Sequence, residues 1–379
     1  MTKIVGLDVF PLALPALGQV ARAYAARPPW PSIYGSHRET LVVRLTADDG
    51  TAGWGEALAP VAPEVPAEIV RRLLAPVLLG ADPQRVRPLR HQLGELMRER
   101  GHLGGHQADA IAAVDIALWD LAGKLAGLPV VDMLGGAFHR EVPTYVSGLP
   151  GRADAHRVGQ ARDWVGRGVR QVKVGLGYGV DADLATVSAL REVHPDLRIA
   201  VDVHGVYGFA DAVRLGRGLA ERDAWFLEMP LAFEDVPGHA DLATRVDLPV
   251  ALGESLRHRW EFQPFVAARA VGLLQPDIGR TGITEGLAIA QYAETHHLGV
   301  APHHSAGLGL ALAAGLHVAA ACANLVAFEW HPTLFDAVNQ ILTVPIEPAS
   351  TAIPLPAGPG LGVSVDVDAV ERYCTWRER

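Results

Sequence analysis

Cysteine is almost missing from this chain, which carries only Cys322 and Cys374. Two thiols build neither a disulfide framework nor a thiolate metal cage, and the scarcity fits a reducing cytoplasm. An excess of positive charge is missing too. The formal net charge is −9, so no nucleic-acid partner is expected. A secretory signal is not expected, because Asp8 interrupts the first apolar run and no small-residue cleavage site follows it. No membrane span is expected either. The nearest approach is residues 305–328, which hold no Asp, Glu, Lys or Arg. His317 and Asn324 break that stretch and Gly307, Gly309 and Gly315 dilute it, so it reads as a buried helix followed by a strand. Phosphate-cradling loops are also lacking. GLGYG at 175–179 has no Lys-Ser/Thr of a P-loop, and VSGLPG at 146–151 is a poor dinucleotide-binding turn.

What is present is bulk and periodicity. The 379 residues are 49% hydrophobic, enough for a large core and more than one domain. Residues 4–14 and 40–45 read as strands, with a hairpin turn at 46–51 centred on Asp49-Gly50. Helical patterns follow at 64–79, 83–97 and 107–125. Together these form an α+β opening module, assigned to residues 1–127. Residues 16–34 are spotted with Pro, Gly and aromatics and read as a loop that covers a site; Trp30 and Tyr34 are its substrate-contact candidates. Beyond Pro129, short apolar runs centre near residues 145, 172, 201, 226, 251, 274, 300 and 327, each followed by a helical pattern. Eight such units predict a (β/α) barrel over 128–345, with a doubly wound sheet as the alternative. Residues 346–379, containing PLPAGPGLG, are expected to return to the opening module.

Barrel enzymes place their chemistry at the C-terminal ends of the strands. Those ends offer Lys173, Asp202 with His204, Glu228, Glu254, Asp277, His303 and Glu329, each breaking an apolar run. Asp202, Glu228 and Glu254 end three consecutive strands and repel one another unless a cation neutralises them. Pairing with rim Lys or Arg is the plainer alternative. All-oxygen ligation favours Mg²⁺, with Mn²⁺ second. Asp277 and His303 end adjacent strands, and a carboxylate behind an imidazole fixes its tautomer and raises its basicity, as a general base requires. Strand alternation is expected to send His204 to the same face as Asp202, as a metal ligand, a second acid/base or a substrate hydrogen bonder. Lys173 reads as a holder of substrate carboxylate or enolate charge, or as a rim salt bridge. His296, His297, His303 and His304 suggest zinc by composition but span a helix end and a strand end. Asp115, Trp119, Asp120 and Lys124 are helically spaced and read as structural.

Seven segments carry a family resemblance: AIAAVDIALWDLAGKLAGLPVVDMLGG (110–136), VDVHG (201–205), FLEMP (226–230), Gly253-Glu254-Ser255, QPDIGRTGIT (275–284), APH (301–303) and PGLG (359–362). In these the chain resembles the mandelate racemase and muconate lactonizing enzyme group of the enolase superfamily. The resemblance implies an α+β capping domain, a (β/α)₇β barrel, Mg²⁺ on Asp202, Glu228 and Glu254, and His303 backed by Asp277 as acid/base. A homo-oligomer is the expectation for the family. Many members carry Lys-x-Lys on the second barrel strand; here Lys173-Val174-Gly175 lacks the second lysine. That argues against a two-base racemase of the mandelate type and against the muconate cycloisomerase type. Asp202-Val203-His204 looks like the galactonate and mannonate dehydratases, in which a His at this position helps a β-hydroxyl leave as water. Departures at His304-Ser305-Ala306 and Glu329-Trp330-His331 leave the substrate open.

The expectation is therefore an acid-sugar dehydratase acting on a small carboxylate of the aldonate or aldarate class. His303 takes the C2 proton and His204 protonates the departing C3 hydroxyl. Lys173, and Glu329 if protonated, hydrogen-bond the enolate and carboxylate. Two alternatives stand beside it: a racemase or epimerase using His204 and His303 on opposite faces of C2, and a non-catalytic metal-binding member that keeps the fold.

Overall fold

The structure is a computed structural model that describes residues 2–15, 37–332, 337–348 and 351–376. Trp30, Tyr34 and the expected covering loop lie outside the described residues.

Three antiparallel strands open the chain in the order β1-β2-β3: β1 (Ile4–Pro15), β2 (His37–Ala47) and β3 (Ala52–Ala57). The β2–β3 turn is the expected Asp-Gly one, with Gly50 at φ +87° and Thr51 N donating to Asp49 Oδ1 at 2.8 Å. Helix α1 (Glu64–Ile69) runs through a π-helical turn, Val70–Leu74, into α2 (Ala75–Leu78). Then come α3 (Val86–Glu95) and the long α4 (His106–Ala126), which lies on β3. The close approach needs glycine: a Cβ at Gly53 or Gly55 would overlap the backbone carbonyl of Ala117 or Ala113. The polar residues of α4 are structural. Asp115 accepts from Thr284 N at 2.8 Å, Trp119 Nε1 donates to Thr284 Oγ1 at 2.9 Å, and Asp120 accepts from Trp54 N, Leu361 N and Lys124 Nζ.

After α5 (Val130–Met133) the parallel strands begin. They are β4 (Glu141–Ser147), β5 (Gln171–Gly175), β6 (Arg198–Asp202), β7 (Leu227–Glu228), β8 (Val250–Leu252), β9 (Leu273–Leu274), β10 (Gly299–Val300) and β11 (Phe328–Trp330). Seven helices alternate with them: α6 (Asp154–Gly166), α7 (Val180–Val193), α8 (Phe209–Ala220), α9 (Val236–Ala243), α10 (Arg259–Ala267), α11 (Ile278–Thr295) and α12 (Gly309–Ala320). The sheet runs β10-β9-β8-β7-β6-β5-β4-β11, and a Val300–Leu325 bridge joins its ends. This is the (β/α)₇β arrangement behind an α+β cap. One buried layer inside the ring comprises Tyr145, Ala200, Phe226, Ala251, Leu273, Ala301 and Ala327. Two aromatic rings fill the space left by four alanines, so the ring is a packed core and not a pore.

The charge-free stretch resolves as α12, buried along its whole length, and β11. Among the described residues no helix is long and apolar enough to cross a membrane. The C-terminal segment touches both layers. β12 (Ala352–Pro354) pairs antiparallel with β4, and beyond α13 (Val367–Tyr373) Thr375 N donates to Pro11 O at 2.8 Å on β1. Glu56, fully buried at the end of β3, accepts from Leu308 N at 2.6 Å and Ala311 N at 2.9 Å, satisfying donors at the start of α12. Leu58 N donates to Gly279 O at 2.8 Å in the first turn of α11. The cap thus grips the two helices that follow Asp277 and His303.

Candidate active site

The polar residues expected at strand ends are carried toward the mouth of the ring by apolar runs, although Lys173 and Glu329 lie within their strands and not at the ends. Lys173 stands in the middle of β5, over the Tyr145 ring at 5.7 Å. Asp202 and Glu228 are the last residues of β6 and β7. Glu254 follows β8 after Gly253, whose φ of +148° and crowding by the Gln275 backbone require glycine. Asp277 precedes α11 and bridges to His303, whose N–H donates to Pro276 O at 3.1 Å. Glu329 is central in β11.

The contacts are dense. Lys173 Nζ lies 2.8 Å from Glu228 Oε2, 2.9 Å from Glu329 Oε1 and 3.8 Å from Asp202 Oδ2. His303 Nδ1 is 2.6 Å from Asp277 Oδ2, and its Nε2 is 2.9 Å from Glu254 Oε2 and 3.6 Å from Glu329 Oε2. His204 Nδ1 is 3.2 Å from Asp202 Oδ1. Lys173, His204, Glu254 and His303 all line one cavity. Low dielectric makes these charges strongly interdependent. Burial, reinforced by Glu254, pushes Asp202 up to about 7; burial, reinforced by Asp202 and Glu329, does the same to Glu228. Burial opposes ionisation of Glu254 too, but the adjacent His303 overrides it and holds that carboxyl well below its ordinary range. His303 is disfavoured as a cation by burial, yet the charges of Glu329 and Glu254 and the bond to Asp277 raise it well above an ordinary imidazole.

Five carboxylates (Asp202, Glu228, Glu254, Asp277 and Glu329) thus face two cations, Lys173 and His303. Among the described residues no three His, Cys, Asp or Glu side chains are set to hold a metal ion as they stand. Glu228 Oε2 is taken by Lys173 and by Gln275 Nε2 at 2.6 Å, and Glu254 Oε2 by His303. The donor chemistry nonetheless suits a hard cation: oxygens only, from consecutive strands, with an excess of negative charge. A shift of Glu254 away from His303 is the rearrangement such a cation requires.

Two family profiles match the chain. "Mandelate racemase / muconate lactonizing enzyme, N-terminal domain" matches residues 20–135, and "Enolase C-terminal domain-like" matches residues 156–370. The chain belongs to the enolase superfamily. Similar proteins include the D-galactarolactone cycloisomerase of Agrobacterium fabrum, 31% identical, with 89% of this chain and 91% of that protein covered. The arabinonate dehydratase of Saccharolobus solfataricus is 32% identical, with 88% and 90% covered. The crystal structure of an enolase-superfamily member from Agrobacterium tumefaciens superposes with a TM-score of 0.91 at 32% identity, covering 98% and 99%.

In this enolase-superfamily enzyme, Lys173, Asp202, His204, Glu228, Glu254, Asp277, His303 and Glu329 come together at one end of the barrel. Two expectations need correction. His204 does not reach the cavity by strand alternation, since β6 ends at Asp202. His204 takes a left-handed φ of +49°, with its N–H donating to Asp202 Oδ1 at 3.0 Å. Glu329, expected to donate if protonated, is instead held toward its ionised form. Burial pushes it up, but Lys173 and His303 outweigh burial and hold it down at about 2, so it accepts hydrogen bonds and donates none. Lys173 is ion-paired, as the salt-bridge alternative described, and it also lines the cavity. Sequence reasoning missed Gln275, although it lies within the QPDIG segment, and the cavity residues Ser147 and Arg157; His331, from the segment that left the substrate open, lines the cavity too. Gln275, a polar residue after the apolar pair of β9, and Ser147, the last residue of β4, left a signal of the kind used for the others; Arg157 left none.

Proposed function

We propose that this enzyme is an acid-sugar dehydratase: it removes the C2 proton of a sugar acid and eliminates the C3 hydroxyl as water. The observation that carries this reading is the His303–Asp277 contact of 2.6 Å beside a cavity that His204 and Lys173 also line. The arabinonate dehydratase and the galactarolactone cycloisomerase among its relatives support the same class of chemistry.

Asp202, Glu228 and Glu254 would hold a divalent cation, Mg²⁺ first and Mn²⁺ second. Bound there, it supplies Lewis-acid stabilisation to the charge that develops on the substrate carboxylate. The remaining steps belong to side chains. Asp277 accepts from Nδ1–H of His303 and so leaves Nε2 as the basic nitrogen. Nε2 takes the C2 proton once His303 is neutral, a state favoured when Glu254 no longer lies against it. Lys173 presents an ammonium to the enolate oxygens, and Glu329 keeps that ammonium charged and oriented. His204 delivers a proton to the C3 hydroxyl as its C–O bond breaks. The C2=C3 enol and water are the products, and the enol tautomerises to a 2-keto-3-deoxy acid.

The test is a Mg²⁺-dependent screen of aldonates and aldarates that reads keto-acid release with semicarbazide. A keto acid from at least one substrate is the expected result. Solvent deuterium entering recovered substrate without keto acid would point to epimerisation by His204 and His303. The cycloisomerase relative favours a second reading, in which the same base acts on a sugar lactone and the ring oxygen leaves in place of a hydroxyl. Conversion of lactone without loss of water would select it.

A further inference from the structure

The buried cation that the proposed chemistry leaves unused is Arg157. It sits in the first turn of α6, is 2% exposed, and lines the same cavity as Lys173 and His303. Burying a guanidinium is costly unless acceptors meet its five N–H groups. Lys173 in the same cavity has two carboxylates within 2.9 Å. Arg157 has none that close. The one hydrogen bond its side chain makes among the described residues runs from Nη1 to the neutral Thr186 hydroxyl at 3.2 Å. Asp154 Oδ1 stands 3.8 Å from Nη1, is itself 40% exposed, and already accepts from Thr186 Oγ1 at 2.6 Å. Asp183, whose charge interacts with Arg157, is already met by Gly177 N, Tyr178 N and the Tyr207 hydroxyl. Nε of Arg157 is buried with no partner among the described residues. The Tyr178 ring, 5.4 Å from the guanidinium carbon, supports the group without accepting its hydrogen bonds.

A fork of donors held in the cavity wall, short of acceptors, is the complement of a carboxylate. We propose that Arg157 receives a second carboxylate of the substrate, so that the enzyme takes dicarboxylic sugar acids with one end at Lys173 and the other at Arg157. The assignment rests on the dehydratase reading for its chemistry, and the test keeps the two apart.

Purified Mg²⁺-loaded enzyme is assayed with matched aldonate and aldarate pairs of the galacto, gluco and manno series, which differ only at the terminal carbon. The expected result is a kcat/KM at least tenfold higher for the aldarate of the productive pair. Arg157→Gln should cut that ratio about tenfold or more, chiefly through KM, with Arg157→Lys between the two. An aldonate used as well as its aldarate, or a ratio unchanged in Arg157→Gln, overturns the assignment and leaves the dehydratase reading intact. Release of keto acid from no pair counts against the dehydratase reading. Calorimetric binding of adipate and hexanoate then decides for Arg157. Adipate at least tenfold tighter than hexanoate, with the difference lost in folded Arg157→Gln and partly kept in Arg157→Lys, supports the site. Equal binding, or none, overturns it.

Discussion

Acid should loosen this protein through one histidine far from the chemistry. His317 lies in α12 with no exposed surface, its Nδ1 accepting from Val131 N at 3.2 Å and its Nε2 3.1 Å from Leu361 O. The imidazole therefore joins three separate segments, and only the neutral ring can accept at Nδ1 while donating at Nε2. Burial drives its pKa down from 6.5 to about 4. A base depressed in the folded state binds its proton more tightly when unfolded. The stability it contributes is complete above pH 6.5 and is lost as pH falls from there to 4. Each tenfold change in proton affinity is worth about 1.36 kcal/mol, so between pH 7.0 and 4.5 the linkage comes to about 2–3 kcal/mol. The matched variant is His317→Gln, whose amide can accept and donate but does not titrate. Urea unfolding followed by circular dichroism at the two pH values gives the comparison. Wild type should lose about 2–3 kcal/mol more than His317→Gln over that interval. Other acid-sensitive groups, His304 among them at about 4, act on both proteins and cancel. Parallel losses in the two proteins would refute the reasoning.

Three further outcomes concern the chemistry. Asp277→Asn should leave the fold intact but lower keto-acid release by about a thousandfold or more, because an amide in place of the carboxylate at 2.6 Å no longer fixes the Nδ1–H tautomer of His303; kcat on the productive substrate measures it. His204→Asn should separate two steps: keto-acid release falls about a hundredfold or more, while His303-dependent exchange of the C2 hydrogen with deuterated solvent continues, as read by NMR. Prolonged chelation with EDTA should abolish turnover and lower the melting temperature, with Mg²⁺ restoring both. A chelated enzyme that kept full activity would remove the proposed role of Asp202, Glu228 and Glu254.

The parts of the site that were legible in the sequence share one physical cause. A barrel strand is buried on both faces, so a lone Asp, Glu, Lys or His in its apolar run has no cheap explanation other than a position at the mouth, and Asp202, Glu228, Glu254, Asp277, His303 and Glu329 announce themselves that way. Spacing of the runs conveyed the eight strands for the same reason. What escaped depends on contacts between elements distant in the chain. The ionisation of Glu329 is set by Lys173, 156 positions earlier, and by His303 from a neighbouring strand end. The aim of His204 is set by a left-handed turn after β6, which no period-2 rule describes. Arg157 is the clearest case. Arg in the first turn of a polar stretch, DAHRVGQARDW, reads as a solvated surface residue. Its burial comes from Tyr178 and Thr186, on the connection after β5 and on α7, which close over it only when β4 and β5 pair. Framework chemistry written on strands is therefore readable one strand at a time, whereas a group that selects the substrate's far end is assembled from helices and loops. Prediction of substrate from sequence must then fail here sooner than prediction of reaction, because the residues that choose carry no local mark.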